Sequence, residues 1–403
     1  MVLRFFLTVP FFGLLTAAAL FFADGRVVTL WDAPVSAAIV HLLVLGTVGM
    51  AMVGALFQML PVIAGASIKA PMFHARWIHA LMGLGTLMLA LGLYIQKPGL
   101  FHPALALLLG TLGFVVGMML FKLLRVENKT PSVVGMIAAL SSLGLGLVFA
   151  TLVTLEFMGV DIGIAPQELR NVHMHFMLFG WIAGLIMAVA FQVIEMFYVT
   201  PPYPEGLRKS FPLGILGLLV LEVPLQLVGG AALTLADALL AALLGTFAFV
   251  TLRRLAQRKR PVADVTVQLW RTGMAALLAS AALWFVSLAY PPAFDVAALL
   301  FGYFVVSVVF AMSYKIVPFL VWFHLNAKGV LETPMMGDIV PAKAMRPHLW
   351  LHWALGVLLA AAPFVPVLFK AVAAVFALEV LLHGVNLAKA AAIYMKLKEK
   401  GTL

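Results

Sequence analysis

Long apolar runs alternate with short polar segments along nearly the whole chain, and twelve of the runs approach or exceed the roughly 20 residues that a helix needs to cross a bilayer. They lie at about 3–23, 35–61, 77–95, 102–123, 131–155, 167–197, 211–229, 231–252, 267–289, 293–323, 348–367 and 369–395. The longest polar connection, between runs ten and eleven, has only about two dozen residues, and no linker or soluble insert interrupts the pattern. The pattern predicts an all-α membrane protein, a single polytopic domain over residues 1–403 with twelve transmembrane helices. The first run carries one Arg and several small residues, so a cleaved signal peptide is the alternative to a first span.

Basic residues set the orientation, because Lys and Arg accumulate in cytoplasmic loops. With the N-terminus inside, twenty of the 26 Lys and Arg, among them Lys69, Arg76, Arg253, Arg254, Arg260 and Lys400, fall in the cytoplasm. Only Arg26, Lys97, Arg170 and Lys370 fall outside, while Arg271 and Lys315 lie in or near spans. The chain therefore reads as a multi-pass protein of the bacterial inner membrane with both termini cytoplasmic.

Composition narrows the chemistry. At 64% hydrophobic and 10% charged residues, the chain has too little polar surface for a water-soluble globule, so the lipid bilayer is its first partner. The net charge of +10 belongs to topology and not to nucleic acid, because no soluble face gathers it. The absence of cysteine excludes disulfides, thiolate-ligated clusters and a cysteine-bridged copper centre, leaving His, Met or carboxylate as metal ligands. The 21 methionines, Met174 among them, read as core filler in preference to copper ligands.

An internal repeat points to particular residues. His41, Gly46, Phe57 and Gln58 in span two match His175, Gly180, Phe191 and Gln192 in span six, each pair 134 residues apart. Span ten offers a weaker copy, with Tyr314, Lys315 and Pro318 in the places of Phe57, Gln58 and Pro61 and Ala298 in that of the histidine. Pro34, Pro166 and Pro292 precede the three helices. Spans four apart imply three quasi-repeats of four helices closing into a ring. That ring is expected to bring Gln58, Gln192 and Lys315 together near the inner side, with Glu195 close by, either as a neutralising pair or as a cytoplasmic proton entrance.

His41, His173 and His175 lie roughly 10 to 14 Å from the outer helix ends, where an imidazole is costly unless it has a partner. Two such histidines can ligate a haem iron from opposite sides; hydrogen bonds to neighbouring helices are the competing reading. His173 and His175 point about 200° apart on a helix, so only one faces a given iron. The repeat favours His175, leaving His173 for a second partner or a propionate. Gly46 and Gly180 would let a macrocycle approach backbone, and Arg170 would pair a propionate or simply sit at the interface. His348 and His352 share a helix face at i, i+4 and could hold a metal, but the interleaved Trp350 and Trp353 favour an interfacial aromatic belt. In span twelve Glu379, His383 and Asn386 form a polar stripe, read equally as a structural network or as a proton or metal relay. Glu195, Glu222, Asp237 and Lys315 are the other ionisable residues expected inside the membrane.

The stretches HLLVLGTVGMAMVGALFQMLP and HMHFMLFGWIAGLIMAVAFQ resemble the haem-bearing helices of the haem–copper oxidase subunit I superfamily, and YKIVPFLVWFHL resembles its small members. The layout matches over twelve spans and the motifs over three. The resemblance implies haem b between His41 and His175. Span seven lacks the paired histidines of the oxidases, and the H-x-H pair stands on span six instead of span ten, so the chain is not a competent terminal oxidase. It is similar to the twelve-span NnrS-type haem proteins associated with nitric oxide response, an oxidoreductase component serving electron transfer or nitric oxide and oxygen handling, with a respiratory electron donor or other membrane subunits as partners. A proton-coupled transporter or channel, and a cofactor-free assembly subunit, are the alternatives on the same fold.

Overall fold

The structure is a computed structural model that describes residues 2–259, 264–330 and 332–399; Arg260 and Lys400, counted above among the cytoplasmic charges, lie outside the described residues. Among the described residues there is no strand, and twelve long helices follow one another. In chain order they are α1 (Leu3–Phe22), α2 (Pro34–Ala64), α3 (Pro71–Tyr94), α4 (Phe101–Leu124), α5 (Pro131–Phe157), α6 (Pro166–Tyr198), α7 (Glu205–Val228), α8 (Gly230–Ala256), α9 (Val265–Ser287), α10 (Ala293–Ala327), α11 (Ala342–Ala361) and α12 (Leu368–Glu399). Prolines open α2, α3, α5 and α6, where a missing N–H leaves no bond unmade.

Eleven of these helices are long and apolar enough to cross a membrane. The exception is α11. Its apolar run was expected to continue to residue 367, but Pro363 and Pro366 fall in a turn beyond the helix end. The helix reaches back over Lys343 and Arg346 instead, which lowers its apolar content.

The helices α2, α6 and α10 form the centre. Their most apolar stretches are 67%, 72% and 72% buried, against 28–56% in the other candidate spans. A small apolar cavity of about 70 Å³ lies between them. It is lined by Ala51, Leu185 and Val308 at one level and by Met59, Val193 and Ile316 at another. Within each trio the first two residues are 134 apart, and the first and third are 257 apart. Around this centre consecutive helices pack side by side, and α1 lies against α12, so the two ends of the chain meet.

Two of the central helices share a distortion. In α2 residues Leu42–Gly49 are π-helical, and in α6 residues Phe176–Ala183 are, so both stretches start immediately after a histidine and lie 134 residues apart. Such wide turns are rare and concentrate at functional sites, because they rotate the following side chains out of the α-helical register. The two helices also end alike, at Gly65 (φ 64°) and Val199 (φ 53°). Glycine takes that left-handed conformation freely, whereas a β-branched valine is strained there.

Candidate functional site

Where α2 and α6 begin, the bundle encloses a cavity of about 1320 Å³, reaching from Trp31, Pro34 and Pro166 down between the helices. Its lining is mainly apolar, and the exceptions include His41, His173, His175, Arg170 and Asp237.

His41 and His173 face each other across this space. Their ring centroids are 6.4 Å apart and their planes differ by only 10°. Each ring is tethered by its Nδ1, which donates to the Ala37 carbonyl at 2.7 Å in His41 and to the Gly146 carbonyl of α5 at 3.0 Å in His173. A carbonyl oxygen only accepts, so Nδ1 carries the proton in both neutral rings and Nε2 keeps its lone pair. Two oriented imidazoles thus present free donor atoms beside a large apolar cavity.

His175, which the repeat favoured as the partner of His41, turns elsewhere. Its Nδ1 donates to Glu222 Oε1 of α7, which also accepts from Gln226 Nε2 at 3.2 Å. Asp237 of α8 completes the group: the ligand atoms of His175, Glu222 and Asp237 all lie within 4.8 Å of one another. Glu222 is buried, and Asp237 Oδ1 has no hydrogen-bond partner. Each of the three was foreseen inside the membrane, but not their union, because they come from three helices.

The glycines also differ from expectation. Side chains added at Gly46 or Gly180 would collide with Phe12 of α1, or with Ser142 and Leu219 of α5 and α7. Both glycines thus sit where neighbouring helices approach closely, and neither lines the cavity. Arg170 does line it, and its guanidinium pairs with Asp32 at 2.5 Å and with Gln167.

Lys315 forms an ion pair with Asp264, the residue that caps α9, and lies over the Tyr198 ring at 5.4 Å. Glu195 Oε1 accepts from the backbone N–H of Tyr203 at 3.1 Å. Lys315 and Glu195, two of the four residues expected to meet here, thus each have another partner; Gln58 and Gln192 are each half-buried.

His348 and His352 are not interfacial. Both are fully buried against α12, where His348 Nε2 and His352 Nδ1 approach Glu379 Oε1 at 2.9 and 2.6 Å. Trp350 and Trp353 take the opposite, exposed side of the same helix. The expected interfacial placement therefore fails for the two histidines, and the tryptophans alone are exposed. Glu379 and His383 are fully buried as well, so two histidine-bearing i, i+4 pairs face each other.

The chain matches no protein-family model and no curated protein. What it does is therefore argued from these sites.

Proposed function

We propose that the chain is a twelve-span inner-membrane protein that binds haem b, whose iron His41 and His173 would hold. Its role is electron transfer or the handling of nitric oxide or oxygen. The reading rests on one observation: the parallel His41 and His173 rings with both Nε2 atoms free. Two imidazoles that would hold one metal between them, at about 2 Å each, would stand with their centroids roughly 6 Å apart. The observed 6.4 Å fits that arrangement. The Nδ1–carbonyl bonds supply the outer partners that fix the tautomer and ring orientation of a metal-ligating histidine.

The cavity is large enough for a macrocycle and lined mainly by apolar side chains, and with no cysteine in the chain any haem is held without thioether bonds. When bound between two imidazoles, haem iron supplies one-electron chemistry. The protein's part is to orient both rings, exclude water with the apolar lining and meet propionate charge with Arg170 at the cavity wall.

The twelve-span topology with cytoplasmic termini follows from the charge asymmetry, with α11 as a short twelfth crossing. Three quasi-equivalent four-helix units are supported by the matched π-helical stretches, the matched helix ends and the trios around the central cavity. Together with the quoted motifs, they support kinship with the haem–copper oxidase subunit I superfamily and the NnrS-type proteins.

An oxidised-minus-reduced optical spectrum of the detergent-purified protein, expressed with ample haem, tests the reading. A low-spin haem spectrum is expected, lost in His41→Ala and in His173→Ala. A wild-type protein without a Soret band would end it.

A second reading, proton-coupled transport through the same cavity, draws on the His175–Glu222–Asp237 group, of which His175 and Asp237 line it. It requires Glu222→Gln to stop proton-coupled flux in liposomes.

A further inference from the structure

Three helices bring one imidazole and two carboxylates together at the large cavity. We infer that His175, Glu222 and Asp237 form a binding site for one divalent first-row transition ion, with part of its coordination shell open to the cavity. This goes beyond the haem reading and does not depend on it, because neither His41 nor His173 is among the three.

Backbone geometry sets the two carboxylates at one depth. The chain turns from α7 into α8 through Gly229 and Gly230, whose φ angles of 66° and 72° suit glycine. Glu222 lies seven residues before the first glycine and Asp237 seven after the second, so the paired helices of this hairpin present them at the same level.

The imidazole comes from α6. A side chain at Gly180 would meet Leu219 of α7 at 2.7 Å, so the missing Cβ lets α7 come close, and Glu222 follows about one turn after Leu219. His175 Nδ1 thereby reaches Glu222 Oε1, and its ring packs on that of Phe179 at 5.1 Å.

The spacing fits a single ion. One ligand atom from each residue lies within 4.8 Å of the other two, and among the described residues no other three His, Cys, Asp or Glu side chains are gathered in this way. Atoms bonded to a common metal at about 2.0–2.2 Å stand at most roughly 4.4 Å apart, so little contraction is needed. The ion displaces the proton between His175 Nδ1 and Glu222 Oε1.

Hydrogen bonding leaves one oxygen idle. Glu222 is buried and accepts from His175 and from Gln226, whereas the buried Oδ1 of Asp237 has no partner. A protonated His175 answers Glu222 and still leaves Asp237 Oδ1 without a donor. A dication beside a neutral imidazole balances both carboxylates and uses the idle oxygen. A proton shared between the two carboxyl groups is the rival occupant.

The outer contacts and the access suit an open site. Gln226 Nε2, 3.2 Å from Glu222 Oε1, gives the hydrogen bond that a ligating carboxylate receives. His175, Asp237 and Gln226 line the cavity and Glu222 does not, so the side left free by the three ligands opens on the cavity, where water can enter. A mixed set of imidazole and carboxylates suits Zn²⁺, Fe²⁺ or Mn²⁺, whereas Mg²⁺ and Ca²⁺ take oxygen ligands.

The test uses the full-length protein in detergent, stripped by a chelator, incubated with Zn²⁺ in excess Mg²⁺, desalted and analysed for metal. It is run on wild type and on His41→Ala, in which the other facing pair of cavity histidines is broken. Both are expected to retain Zn²⁺, about one per chain in His41→Ala, with imidazole scattering in the X-ray absorption spectrum. Asp237→Asn and His175→Ala, each combined with His41→Ala, should lower the affinity at least roughly tenfold, and Gln226→Ala about tenfold through loss of the outer bond. Monodisperse wild type that takes up no Zn²⁺ overturns the proposal in favour of the shared proton, whether or not the variants fold, and leaves the haem spectrum as a separate question. Undiminished retention in both the Asp237→Asn and the His175→Ala proteins overturns it as well.

Discussion

The two main histidine groups of this bundle solve the problem of a buried imidazole in opposite ways. At the cavity, His41 and His173 each give one nitrogen to a carbonyl and turn the other toward open space. Between α11 and α12, His348 and His352 have both nitrogens engaged, and the partners are a carboxylate and hydroxyls. The first arrangement has room for a guest with its own bulk, whereas the second is closed on its own hydrogen bonds. Open sites do chemistry and closed ones hold structure. The difference follows from neighbours in space: mostly apolar side chains surround the first pair, whereas Ser307, Tyr314, Glu379 and Asn386, from α10 and α12, surround the second.

The largest expected effect breaks the open pair. His173→Ala should abolish the bis-imidazole haem spectrum, whereas His175→Ala should leave it in place, because His175 is turned toward Glu222. Spectra of the two variants, recorded at equal protein concentration, check this directly. Loss of the spectrum in His175→Ala with retention in His173→Ala would reverse the assignment.

The next effect tests the closed cluster. Glu379→Ala removes the carboxylate to which two buried imidazoles are tied, and breaking a buried charged pair by removing one partner costs about 3–5 kcal/mol. Chemical denaturation in detergent, followed by far-UV circular dichroism, should show a loss of that order. Glu379→Gln, which keeps an acceptor oxygen, should lose less. A smaller effect is expected at the cavity wall. Glu222→Gln keeps the acceptor for His175 and removes the charge, at a cost of roughly 1.5–3 kcal/mol by the same measurement.

How much of this was legible in the sequence depends on whether length or rotation decides. The helices follow from the length of the apolar runs and the prolines that open them, and each expected span overlaps one long helix. The departure at α11 is also local, since Pro363 and Pro366 stop the helix before the apolar run ends. Rotation is different. The repeat aligned His175 with His41, yet His173 found the Gly146 carbonyl and His175 found Glu222, 47 residues away on another helix. Nothing in the spacing along α6 says which of two histidines faces which neighbour. The i, i+4 spacing of His348 and His352 was visible, and so was the polar stripe of α12. That they face each other depends on how the two helices are turned, with the tryptophans on the exposed side.

The smallest effect concerns a pair outside both clusters and sharpens the contrast by supplying an ordinary ion pair as reference. Asp264 caps α9, accepting from the Thr266 backbone N–H at 2.9 Å and its hydroxyl at 3.0 Å, and it pairs with Lys315. Burial pushes its carboxyl up, but the Lys315 ammonium and the Thr266 bonds outweigh burial and hold it below the ordinary value. A depressed carboxyl stabilises the fold above its unfolded pKa of about 3.9, and that stability is lost as pH falls through the lower folded value. Asp264→Asn keeps the cap and deletes the charge, so it should cost about 1 kcal/mol at pH 7. The gap between wild type and variant should close as the pH is lowered below about 4. Thermal unfolding of both proteins across that range measures it. A gap that persists at the acid end would mean that the lost stability lies in the capping geometry and not in the charge on Asp264.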